Sequence, residues 1–205
     1  MDINFTALLP EIILSVAGIV LMLLIPFVTP ENQPKLGYLG LAGVLLALCA
    51  LLLQWGEGPS SAFFGMVFQD SFADFSKLLF LFSVGAVITI SMHYLEQDRL
   101  LKAEYFSLLL FSAVGMCLMA ASADLIMTFL GIEILSISTY VLAGYRFSEM
   151  KSTESALKYF ILGAFSTAFL LYGVAFVYGA TGTTKYLPIS RAIGEMESYP
   201  IFLLL

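Results

Sequence analysis

Charge is what this sequence has least of. Only 12% of the 205 residues are charged, whereas 60% are hydrophobic, and the mean hydropathy is +0.96. A soluble domain of this size has no use for so much apolar surface. A bilayer-spanning one does, because each helical crossing takes about 20 apolar residues. The composition therefore reads as a polytopic membrane protein. The acidic balance carries little weight, since the charges sit in short loops. No basic, aromatic-interleaved stretch points to nucleic acid.

Histidine and cysteine are scarce too. His93 is the only histidine, which excludes a bis-histidine haem within the chain. Cys49 and Cys117 lie singly in apolar runs with no CxxC partner, and metal or redox sites need clustered ligands. Both cysteines read as small packing residues, and no metal or cofactor site is expected. The N-terminus has no basic segment and no A-x-A site after its apolar run, so it does not read as a cleaved signal peptide. With no soluble catalytic domain evident, substrate chemistry is expected to belong to partner chains.

What is present is a series of apolar runs. Ala7–Val28 is the first expected span, with Pro10 in its first turn, where the missing N–H costs no helical bond. Glu11 beside it reads as an interfacial acid favoured by the helix dipole. Leu36–Trp55 is the second span, with Trp55 at the boundary. Gly56–Asp70 reads as a loop holding a strand-like piece, GMVFQ. Phe72–Leu95 is the third span, and Asp70, Asp74 and Lys77 cluster at its entrance. Asp74 and Lys77 are spaced to satisfy one another locally as an i,i+3 pair. Tyr105–Ala121 is a shorter fourth span rich in Ser, Ala, Gly and Met, as close helix packing in lipid favours. Leu125–Tyr145 is the fifth, and the sixth runs from about Thr153 to Tyr178. Gly179–Tyr199 reads as a loop. After Pro200 come five apolar residues, IFLLL, which read as the opening of a seventh helix. A longer chain is therefore expected. The sequence divides into helices one to four (1–121) and helices five and six with the seventh's beginning (122–205).

Of the nine Lys and Arg residues, Lys77 and Lys158 fall within spans. Lys35, Arg99, Lys102, Arg146 and Lys151 fall in loops after the first, third and fifth spans. The positive-inside rule then puts the N-terminus outside. Lys185 and Arg191, after the sixth span, oppose that reading but are outnumbered.

The stretch 125–170 carries the chemistry. Glu133 lies roughly 12 Å into the fifth span at 1.5 Å per residue. Ser136, Tyr140 and Gly144 fall within about 60° of it around the helix, so one face is polar or small. A charge in hydrocarbon costs at least about 2.5–3.5 kcal/mol on insertion scales, so such residues usually face a protein interior or a water path. Lys158 lies about 8 Å into the sixth span. Glu154, its i−4 neighbour, offers a bland alternative in which the two form an ordinary helix pair and Lys158 snorkels outward. If Glu133 and Lys158 both act, the chemistry is proton handling. A desolvated lysine loses basicity, a carboxylate nearby restores it, and changing that partnership releases the proton.

FLGIEILSISTYVLAGYR and STESALKYFILGAFSTAFLLYGVAFVYGATGTT resemble the subunit N family of the bacterial respiratory NADH:quinone oxidoreductase, complex I. Its members are antiporter-like membrane subunits, akin to those of multi-subunit cation/proton antiporters. LLPEIIL and the F-x-D-S-F-A-D-F segment fit the same family. The resemblance implies the N-terminal part of a fourteen-helix, all-α fold with two inverted five-helix repeats. It places the family's buried glutamate on Glu133 and its sixth-helix lysine on Lys158, while the lysines of later helices have no counterpart here. It further implies a bacterial inner-membrane location and partner membrane subunits, including the other antiporter-like ones. NADH, FMN, iron–sulfur clusters and quinone would be handled by partner subunits. The alternatives are a subunit of a cation/proton antiporter or membrane-bound hydrogenase, and a scaffold in which both charges are dispensable.

Overall fold

The computed structural model describes residues 4–56, 58–97 and 103–195. Six long helices carry the fold: α1 (Leu9–Leu24), α2 (Leu36–Leu53), α3 (Ser71–Gln97), α4 (Ala103–Ala120), α5 (Leu125–Ala143) and α6 (Met150–Thr181). Each is long and apolar enough to cross a bilayer, as the apolar runs predict. Short 3-10 turns flank α1 and lead into α2, where prolines remove the N–H groups that would continue an α-helix.

Two elements depart from the sequence reading. Helix α6 begins before Thr153 and ends after Tyr178. The stretch read as the loop Gly179–Tyr199 contains a further helix, α7 (Tyr186–Gly194). It is too short to cross a membrane and too polar to stand out in a hydropathy profile. The apolar residues read as a seventh helix lie outside the described residues.

Leu14, Leu21, Leu51, Leu81, Ile88, Phe106 and Leu110 form the centre of an α1–α4 bundle. Large apolar residues such as Leu23, Leu53, Phe82 and Ile90 point outward, as a lipid-facing surface requires. Lipid is as apolar as leucine, so helices in it associate through close packing of small residues. Gly115 and Gly131 meet that need between α4 and α5. A Cβ on Gly115 would stand 2.6 Å from the Gly131 carbonyl oxygen and from the Leu135 amide nitrogen. The two backbones touch, and only glycine permits it.

On the N-terminal side of the bundle, β1 (Ser60–Ala62) and β2 (Val67–Gln69) form an antiparallel hairpin in which Ser60 pairs with Gln69. The strand-like piece in the sequence thus finds a partner. The hairpin is stitched to the α4–α5 turn by Phe68 N–H donating to Ala121 O (2.8 Å) and Ala123 N–H donating to Met66 O (2.9 Å). That turn is in turn stitched to the α6–α7 junction by Leu125 N–H to Thr184 O (2.9 Å) and Tyr186 N–H to Ala123 O (3.0 Å). Backbone groups at the membrane boundary are satisfied this way without regular sheet. Asp124, 1% exposed, joins the same belt. Its Oδ1 caps α5 at Ile126 N–H (2.8 Å) and its Oδ2 accepts from Thr184 Oγ1 (2.7 Å).

Candidate functional site in the α5–α6 pair

Glu133 is the ninth residue of the nineteen in α5, at mid-helix and partly buried. Gly131 and Ser138 are the buried residues of this helix, and Gly131 packs on α4. At 100° per residue Glu133 falls on the opposite side, with Tyr140 and Gly144. That side meets α6. A Cβ on Gly144 would lie 2.8 Å from the Ala156 Cβ, and one on Gly163 would overlap the Tyr140 hydroxyl. The ring of Tyr140 stands edge-on to Tyr159, centroids 4.7 Å apart, and to Phe160. The polar-or-small stripe seen in the sequence is therefore, in part, the seam on which α6 lies.

Among the described residues Glu133 makes no hydrogen bond or ion pair. Ser136, also partly buried, lies one turn along and accepts at its carbonyl from Thr139 Oγ1 (2.9 Å). Lys158 donates to Glu154 Oε1 at 2.5 Å, the i,i+4 partner offered by the sequence. The two side chains are 70% and 56% exposed, on a face of α6 that no described element covers. The structure does not join Glu133 to Lys158. The seam contacts Gly144–Ala156 and Tyr140–Gly163 place Lys158 level with the end of α5. Glu133 stands about ten residues, or about 15 Å, farther along the axis. The two groups are separate stations, not an ion pair.

The reading of Lys77 requires correction. It does not pair locally with Asp74. Its Nζ lies 2.7 Å from Glu11 Oε1 and donates to Ala7 O at 3.2 Å, while Asp74 instead accepts from Gln69 Nε2 (2.9 Å). Glu11 lies in the first turn of α1, as the helix-dipole reading expects, but it is buried there, only 3% exposed. Local spacing could not reveal the pair, because its members are 66 positions apart and meet only when α1 and α3 are packed. The signal available was a lysine inside an apolar span whose nominal partner lay nearer the boundary.

Comparison with known proteins decides the family. Residues 122–205 match the family model described as NADH:quinone oxidoreductase/Mrp antiporter, transmembrane. NADH-quinone oxidoreductase subunit N of Trichlorobacter lovleyi is 44% identical over 194 residues, which cover 95% of this chain and 40% of that protein. The chain belongs to the antiporter-like membrane subunit family.

Subunit N 1 of Solibacter usitatus is 47% identical over 94% of the chain and 39% of its own length. Among solved structures, a chain of respiratory complex I from Thermus thermophilus with bound aureothin superposes with a TM-score of 0.72 at 33% identity, over 96% of this chain and 42% of that one. An archaeal membrane-bound sulfane sulfur reductase superposes with a TM-score of 0.75 over 96% of the chain and 41% of its own. At 21% identity it shares the fold. The chain spans about two fifths of the length of these antiporter-like relatives.

Proposed function

We propose that this chain forms part of a proton-translocating membrane subunit of an NADH:quinone oxidoreductase. The observation that carries the proposal is Glu133, a carboxyl with no partner among the described residues, at the middle of an apolar helix on the side facing α6. An ionisable residue placed inside a membrane span is costly to keep there and marks a proton or ion path. Lys158 is the second station. Glu154 holds its ammonium, and displacement of that carboxylate, or arrival of another charge, frees the lysine's proton. The interval of about 15 Å between the stations is too long for direct transfer and calls for a short water chain along the α5–α6 seam. Ser136 and the hydroxyl of Tyr140 are the polar groups that would support it.

In this reading the chain performs no redox chemistry. NADH, FMN, iron–sulfur clusters and quinone belong to partner subunits, and the other membrane subunits, including further antiporter-like ones, pack beside it in the bacterial inner membrane. The uncovered face of α6 is where further helices would enclose Lys158. The N-terminus lies outside, because the cationic loops Lys35 and Arg146–Lys151 share the end of the bundle opposite the hairpin. Residues 122–205 hold the proton-handling unit, and 1–121 form the bundle that supports it.

The test is Glu133→Gln in the native assembly. We expect normal assembly and quinone reduction with impaired proton transport; full transport would overturn the proposal. A second reading, exchange of Na⁺ or K⁺ for protons, is favoured by the family description, which also covers Mrp antiporters. Cation-dependent proton flux without quinone reduction would select it.

A further inference from the structure

A second acid–base pair lies well away from α5 and α6. Glu11 stands in the first turn of α1 and Lys77 is the seventh residue of α3. Their side chains are 4% and 0% exposed, with Lys77 Nζ 2.7 Å from Glu11 Oε1. As a structural staple the pair is poorly made. A buried ion pair holds helices together efficiently only when its remaining lone pairs are filled. Glu11 Oε2 has no hydrogen-bond partner among the described residues, and Oε1 meets the ammonium without hydrogen-bond geometry.

The surroundings point to a different use. Beneath the β1–β2 hairpin lies a polar cavity of about 120 Å³, whose lining includes Ala7, Gln54, Ser60, Gln69 and Asp74. That is room for several waters. The Ala7 carbonyl links cavity to pair, because it is the group to which Lys77 Nζ donates (3.2 Å). Gln69 Nε2 donates to Asp74 Oδ1 (2.9 Å) and, at 3.4 Å, to Gln54 Oε1. A line of polar groups therefore runs along the cavity towards Asp74, which is 8% exposed and one helical turn before Lys77. Asp70 is engaged elsewhere, accepting from Ala73 N–H (2.8 Å). From α4, Cys117 lies within electrostatic range of both Glu11 and Lys77.

Of the two buried carboxyls, Glu11 meets the Lys77 ammonium directly and Asp74 stands one helical turn before it, at the cavity. With all three ionised the cluster carries one uncompensated negative charge where charge is poorly solvated, and uptake of a single proton neutralises it. We propose that Glu11, Lys77 and Asp74 form a second proton-binding site, reached by water from the hairpin side of the bundle. Asp74 receives the proton at the cavity, Lys77 hands on one of its own, and Glu11 accepts it. Every step moves a proton between existing groups and needs no other reactant. The inference is independent of the roles assigned to Glu133 and Lys158.

Infrared difference spectroscopy of the native membrane assembly after pH steps, in H₂O and D₂O, reads carboxyl protonation directly. The expected result is a carboxyl C=O signal that titrates, shifts on deuteration and is lost in Glu11→Gln. Gln69→Leu, which removes a polar group from the cavity lining without altering charge, should slow its deuterium exchange. Removing one member of a buried pair destabilises a protein, whereas replacing both by apolar residues is often neutral. Glu11→Leu/Lys77→Met therefore carries the test should the single variant fail to assemble, and it too should lose the signal. An unchanged carboxyl titration in the assembled single or double variant overturns the proposal. Glu133→Gln should leave the Glu11 signal in place, so the two proposals fail separately.

Discussion

The hydroxyl of Tyr140 occupies the space a side chain would need at Gly163, where a Cβ would overlap both Oη and Cζ. This contact sets the register of α6 on α5, and with it the height of Lys158 relative to Glu133. Gly163→Ala should strain the seam by about 1–3 kcal/mol, as overpacking of a close contact does. Thermal unfolding of the purified protein should show a lowered Tm. Tyr140→Leu in the same chain should recover part of the loss, because the two sites are coupled; an additive double variant would refute the contact.

Asp124 holds two things at once, the first turn of α5 and the Thr184 hydroxyl beyond α6. Loss of a helix cap costs about 1 kcal/mol, and loss of a hydrogen bond to a carboxylate costs about 1.5–3 kcal/mol. Asp124→Ala, which removes both, should therefore destabilise more strongly than Thr184→Val. Hydrogen exchange should locate the extra opening of Thr184→Val at the α6–α7 junction and leave the start of α5 protected.

Glu154 and Lys158 are open enough in this chain that their ion pair should add little to stability. Glu154→Gln should leave the melting temperature nearly unchanged. If the pair handles protons, the same substitution should lower the number of protons moved per quinone reduced, and Lys158→Met should lower it further. Vesicle assays with a pH-sensitive dye would show both. Unaltered coupling in the two variants would reduce the pair to an ordinary surface bridge on α6.

The proposed orientation rests on which loops share an end of the bundle. After replacement of Cys49 and Cys117 by alanine, a cysteine placed at Ser61 in the hairpin should react with a membrane-impermeant maleimide added outside intact cells. A cysteine at Lys151 should react only after permeabilisation. The reverse pattern would invert the proposed topology.

Much of this was legible in the chain alone. Six spans, the strand-like piece before α3 and the mid-helix position of Glu133 follow from hydropathy and the 3.6-residue period, because lipid requires long apolar helices and the period places residues on faces. The Glu154–Lys158 bridge was also legible, since i,i+4 spacing on one helix is local information. Helix α7 was missed because nine residues carry too little periodicity to outweigh the loop-like composition around them.

The sequence by itself determined which segments enter the membrane and where along each one the charged groups sit. Tertiary structure alone decided which groups meet. It joined Lys77 to Glu11 in place of Asp74, turned Tyr140 and Gly144 of the polar-or-small stripe towards α6, and held Glu133 and Lys158 at different depths. The reason is physical. Helix periodicity fixes direction and height on one element. Pairing between elements depends on how closely two backbones approach, and that is set by glycines such as Gly115, Gly131 and Gly163, whose partners no local pattern names.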